Sequence, residues 1–117
     1  MDSIKVELMI KKSVEKELGS DIFVQALEIF LSNAEKDFVL MNLYIEAQDY
    51  LNAKELSHKL IGSCEAVGIK KLPKLLRELD TNLKTRYVRK DMLGAINDVY
   101  EEVKSFLKKE YLIEIQD

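Results

Sequence analysis

At 117 residues the chain has the length of one domain, 1–117, able to bury most of its apolar side chains in a single core but too short for two. Four glycines and one proline, set against 47% hydrophobic and 33% charged residues, are too few turn formers for an all-β chain and favour long amphipathic helices. A formal net charge of −3, from 18 Lys and Arg against 21 Asp and Glu, with no cationic run longer than two, gives no basic field for a phosphate backbone, so nucleic acid is not an expected partner.

Residues 3–17 carry Ile4, Leu8, Val14 and Leu18 among many charges, the pattern of a surface helix, although Val6 and Ile10 also permit a short strand. Gly19-Ser20-Asp21 then breaks the chain, and Ser20 or Asp21 is placed to cap the next helix. That long helix is predicted from about Asp21 to Gln48, where Ile22, Ala26, Ile29, Phe30, Phe38, Met41, Tyr44 and Ile45 recur near three- and four-residue spacing. After an interruption at Gln48-Asp49-Tyr50, another helix runs from about Leu51 to Val67, and Gly68 stands where a left-handed glycine ends a helix.

The segment from Ile69 to about Lys84 gathers Leu72, Leu75, Leu76, Leu79 and Leu83 on one face. Pro73 lacks an N–H, so this helix must begin near Ile69 or Lys70 and leave the proline in its first turn. Thr85 to Lys90 reads as a polar connection, and Asp91 as the cap of a last helix with Met92, Ile96, Val99, Val103 and Phe106 inward, fading into residues 111–117. Four amphipathic helices with short connections, preceded by a weaker one, pack most economically as an all-α, antiparallel up-down four-helix bundle with an additional N-terminal helix and a core at about 20–110. No apolar run approaches the roughly 20 residues of a membrane span, residues 1–7 lack a basic stretch followed by an apolar one, and Cys64 is the lone cysteine. The expected location is therefore cytoplasmic, away from the membrane, and a monomer satisfies the apolar stripes.

The stretch from Glu55 to Gly68 holds the single histidine, His58, with Gly62 one turn beyond it. At about 100° per residue, with His58 at zero, Leu56, Leu60, Ala53, Cys64 and Val67 fall between about 160° and 240°. The apolar stripe is thus opposite His58, with Leu56 and Leu60 expected to be buried. Lys54, Gly62 and Glu65 share the polar outer face with it, Glu55 and Ile61 lying slightly to either side. A helix-interior glycine costs about 1 kcal/mol relative to alanine, and beside an exposed imidazole it clears room for another molecule.

Glu55-Leu-Ser-His58 has the Glu-x-x-His spacing of carboxylate-bridged dimetal bundles, but such sites need a second copy of the motif and inward projection. No metal site is expected. Cys64 lies on the apolar side with no orienting third group for a hydrolytic pair, and no glycine-rich phosphate loop is present.

The run His58-Lys-Leu60-Ile-Gly62-Ser63-Cys64-Glu-Ala-Val67-Gly68-Ile69-Lys-Lys-Leu72, continuing to Leu76, Leu79 and Asp80, resembles the histidine-containing phosphotransfer (HPt) domain of two-component phosphorelays. The likeness extends loosely over about 95 residues, from Gly19 through the last helix, and that family's four-helix bundle agrees with the helices above. It implies that His58 accepts a phosphoryl group from the aspartate of one receiver domain and passes it to another, since a neutral imidazole nitrogen is a good nucleophile near pH 7. It also implies that Asp80 orients the imidazole from the neighbouring helix. Gly62 matches the position that admits the receiver, Ser63 the small polar residue after it, and Lys54, Glu55, Lys59, Ile61 and Glu65 complete the expected partner-binding surface. The protein itself would carry no cofactor and act as a phosphoryl carrier, not as an enzyme, with Mg²⁺ supplied by the partner receiver domain.

One residue departs from the pattern: the family's lysine three places after the histidine is Ile61. Lys54, one turn earlier on the same face, can replace that cation, while Lys59 lies about 100° away. Ile61 also leaves open a second reading, a degenerate bundle that binds receiver or kinase domains without transferring phosphate. A histidine-kinase dimerisation bundle fits less well, because the acid expected directly after the histidine is Lys59.

Overall fold

The computed structural model describes Val6 and residues 8–114, with five helices among them: α1 (Lys12–Leu18), α2 (Ser20–Glu46), α3 (Tyr50–Ala66), α4 (Lys71–Thr85) and α5 (Lys90–Glu110). Helices α2 to α5 form the expected all-α bundle, each packed against the next, with α2 and α5 meeting to close it. Along that closing seam Asn42 bonds Asn97 at 3.0 Å, Phe38 stacks on Tyr100 at 4.2 Å, and Glu35 accepts from Tyr100 at 2.8 Å and Lys104 at 2.6 Å. Numbers fall on α5 as they rise on α2, so the two are antiparallel. Burial opposes the charge on Glu35, yet its bonds from Lys104 and Tyr100 prevail and hold its carboxyl below the ordinary range.

The core of α2 is Phe23, Leu27, Phe30, Leu31, Ala34, Phe38 and Met41, a clean three- and four-residue series. Phe30, Phe38 and Met41 are where the spacing put them, but Ile22 and Ile29 face outward, Ile29 at 64% exposure. This helix has more apolar residues than one face can bury, and the aromatic ones occupy the interior. In α5, Ile96, Val103 and Phe106 are buried as expected, Met92 and Val99 are only half-buried, and Tyr100 and Leu107 complete the stripe.

Two expected caps are not made. Gly19 is the N-cap of α2, so Ser20 and Asp21 lie within its first turn, where an acid still favours the helix dipole. Arg89 precedes α5, and Asp91, inside the first turn, instead grips the Arg89 guanidinium at 2.6 and 3.2 Å. The side-chain cap that does form is Asp49, which accepts from the Asn52 N–H at 3.3 Å and starts α3. Pro73 is the third residue of α4, where no backbone donor is needed.

The N-terminal segment is not one helix over 3–17. Lys11 is extended, and the chain there straps across the α3–α4 turn: Lys11 N–H donates to Gly68 O at 2.7 Å, Lys70 N–H donates to Met9 O at 3.1 Å, and Ile10 forms a β-bridge with Ile69. These bonds turn Val6, Met9 and Ile10 inward and leave Leu8 and Leu18 exposed; of the expected stripe Val14 alone packs on the core, half-buried, and Ile4 lies outside the described residues. Gly68 answers two demands at once. Its φ of +79 is left-handed, and a Cβ there would meet Val14 Cγ2 at 3.0 Å and Lys11 O at 3.2 Å.

Replacing Gly68 with alanine is expected to lower unfolding free energy by about 1–3 kcal/mol, from the left-handed penalty and the crowded strap together. Urea denaturation measures this, and a loss below about 0.5 kcal/mol would mean that the strap yields freely.

Candidate functional site

The site is built where α3 and α4 face each other. Ala53, Ser57, Leu60 and Cys64 form the buried stripe of α3, spaced four, three and four apart. A stripe so placed turns His58 outward, and its side chain is 59% exposed. Leu60 is buried as expected, whereas Leu56 is only half-buried, because the stripe centres on the Ser57 side and leaves Leu56 at its edge.

Ser57 was not singled out by sequence, and it is fully buried, its hydroxyl donating to Leu76 O at 3.3 Å on α4. That bond draws α4 against the side of α3 next to His58. One turn after Leu76 comes Asp80, whose Oδ2 is paired with His58 Nε2. Asp80 is only 13% exposed, and its Oδ1 is buried with no hydrogen-bond partner among the described residues. A largely buried carboxylate keeps few alternative positions, so its other oxygen holds the ring in one orientation. With the proton on the nitrogen facing Asp80, the lone pair is on the other ring nitrogen.

The remaining residues of the face divide into those free and those tied. Gly62 is exposed, and a Cβ built there meets nothing within 4 Å, so the space beside the imidazole is open. Ser63 is half-buried next to it and Glu55 is exposed one turn before. Lys59 reaches the opposite way, to Asp37 of α2 at 3.2 Å, and Asp37 is buried there. A buried acid needs such a partner; nothing in the α2 stripe alone marked Asp37 for this role. Glu65 is held by Arg77 of α4 at 2.8 Å. Ile61 is half-buried and packs on the core, so the residue in the lysine's place contributes packing as well as surface. Lys54, half-buried one turn before His58, lines a cleft at the end of the bundle.

Chemically, the face offers one nucleophilic group. Burial pushes the Cys64 thiol up to about 12, with Glu65 adding to the rise, which leaves it protonated and inert. Among the described residues no three His, Cys, Asp or Glu side chains converge as a metal site would require, and no helix is long and apolar enough to cross a membrane.

A sequence model of the Hpt domain matches residues 25–106, taking in α3 and α4 whole and with them His58 and Asp80. No curated protein and no solved structure matches the chain.

The empty space over Gly62 separates its structural cost from its use. Gly62→Ala is expected to stabilise the protein by about 0.5–1 kcal/mol, as alanine does in a helix interior. Chemical denaturation checks the sign, and destabilisation would show that the glycine is needed by the fold itself.

Proposed function

The chain belongs to the Hpt domain family, the histidine phosphotransfer domains of two-component systems, and on that premise we propose that His58 takes a phosphoryl group from the phosphoaspartate of one receiver domain and gives it to the aspartate of another. Such domains are phosphoryl carriers and interact with receiver domains. The observation that carries the assignment of His58 is the exposed imidazole beside open space, with one ring nitrogen engaged by Asp80.

In the accepting step the free ring nitrogen attacks phosphorus, a P–N bond forms, and the acyl P–O bond breaks to regenerate the receiver's carboxylate. The ring gains positive charge as its lone pair is used, and its remaining N–H donates to Asp80, whose negative charge offsets that gain. The donating step reverses this: the next receiver's carboxylate attacks phosphorus, the P–N bond breaks, and the electron pair returns to the imidazole. Mg²⁺ and most groups that stabilise the phosphoryl in flight belong to the receiver, so this protein supplies a nucleophile held in position. Gly62 admits the receiver, and Lys54, Glu55, Lys59, Ile61, Ser63 and Glu65 border its footprint.

Incubation with phosphorylated receivers is expected to give an acid-labile, base-stable label that His58→Gln abolishes. Absence of label with every receiver would support the adaptor reading that Ile61 leaves open, and label surviving His58→Gln would refute the assignment. Asp80→Ala removes a charged hydrogen bond of about 1.5–3 kcal/mol and is expected to slow single-turnover transfer by about tenfold to a hundredfold. Unchanged receiver affinity in that variant distinguishes positioning from docking, whereas an unchanged rate would remove Asp80 from the chemistry.

A further inference from the structure

Lys54 points from His58 toward one end of the bundle, where the α2–α3 and α4–α5 connections meet around an open cleft of about 700 Å³. Three of its lining residues are cations: Lys54 from α3, Lys84 from the last turn of α4, and Arg86 from the connection after α4. None of the three has an ion-pair partner among the described residues; other lysines, such as Lys36 and Lys74, are also unpaired, but here three such cations line one cleft. Asp49, the one acid among the cleft's lining residues, turns both its oxygens to Asn52 and is paired with none of the three cations, so the lining keeps an excess of positive charge. In a chain with net charge −3, this is a local concentration of uncommitted positive charge.

The position of the cleft matters as much as its charge. Lys54 is one turn from His58, about 6 Å along α3, and Leu51 is seven residues away, roughly 10 Å. A standard interface covers about 800 Å² on each partner, a disc of about 16 Å radius. A footprint of that size centred on His58 takes in Lys54 and Leu51 and reaches the cleft. Leu51 is 80% exposed on the same face as His58, and Tyr87, beside Arg86, is 70% exposed, so apolar and aromatic surface stands among the cations as in recognition surfaces generally. Arg86 is fixed by its left-handed conformation, φ +59, which ends α4 and bonds its N–H to Leu83 O at 3.2 Å. The cluster is thus held by the helix end and is not carried on a loose loop.

Resting on the phosphotransfer reading, we propose that Lys54, Lys84 and Arg86 form the electrostatic clamp of this protein, binding an acidic surface patch on the receiver domain beside its phosphoaspartate. The clamp places positive charge off to one side of the histidine, where Ile61 leaves none next to it. Because the cations lie in the outer part of the footprint, they act on association and affinity and leave the chemical step to His58 and Asp80.

The test separates docking from chemistry. The full chain carrying His58→Gln, which cannot take phosphate, is titrated by calorimetry with the receiver domains of its own genome, each activated with beryllofluoride. The same titration is run with Lys84→Glu and Arg86→Asn added, asparagine being tolerant of the left-handed backbone, and thermal melts verify that both proteins are folded. The receiver that binds most tightly is expected to lose at least about tenfold in affinity in the altered protein. Between about 50 and 500 mM salt its binding to the unaltered cleft is expected to weaken at least about tenfold, and to the altered cleft less than about threefold. Affinity within twofold of the starting protein, a loss independent of salt, or no binding by any receiver would overturn the clamp. Labelling of His58 is read separately in the protein with histidine intact: transfer with unaltered affinity refutes the clamp alone, and binding without label refutes phosphotransfer alone.

Discussion

His58 and Asp80 belong to different helices, and their contact exists only when α3 and α4 pack in one register. A shift of one residue between these helices would carry Asp80 about 100° around its own axis and remove the carboxylate from the imidazole. Several features of the chain fix that register. Gly68 makes the left-handed turn between the helices, the Met9–Lys11 strap clamps the turn from outside, and the buried Ser57 hydroxyl bonds the Leu76 carbonyl. Leu60, Leu72, Leu76 and Leu79, all fully buried, fill the interface beneath. A core bond such as that of Ser57 contributes only about 1 kcal/mol net, yet leaving its partner unsatisfied costs more, so it specifies position better than it adds stability.

This arrangement explains how a small helical protein can present a reactive group with no enclosed pocket. On the proposed function, the imidazole has to be open enough for a receiver domain to bring a phosphoryl group within bonding distance, and rigid enough that its orientation is set beforehand. Exposure comes from the stripe opposite His58, openness from Gly62, and rigidity from a carboxylate that is itself largely buried. Asp80 Oδ1, buried and without a partner among the described residues, is the cost of that rigidity.

The helices, the bundle and the outward direction of His58 were legible because periodicity in apolar residues determines which side of a helix meets the core. Gly68 was legible as a helix end, though not as the point where the strap crosses. Errors arose where apolar residues exceeded what one face could bury, as with Ile22 and Ile29, or where tertiary bonds overrode local pattern, as at Lys11 and at the unmade Asp91 cap. Within the site, Asp80 could be carried over by resemblance, but its contact with His58 depends on interhelical packing that single-helix spacing does not contain. Ser57 and Asp37 were missed because a buried serine or acid has no periodic signature until its partner, Leu76 O or Lys59, is known.

Ile61 takes a different place in this picture from the one its sequence position suggested: half-buried against the core, it contributes apolar contact where the family has charge, while Lys54, Lys84 and Arg86 collect charge around the cleft at the end of the bundle. The most direct test of the central claim is nuclear magnetic resonance of the protein with ¹⁵N-labelled histidine, recorded while a phosphorylated receiver transfers to it. A single His58 ring nitrogen coupled to phosphorus, with the other nitrogen protonated and sensitive to Asp80→Asn, is the predicted result. Phosphorus appearing on any other residue, or ring signals indifferent to Asp80, would contradict it.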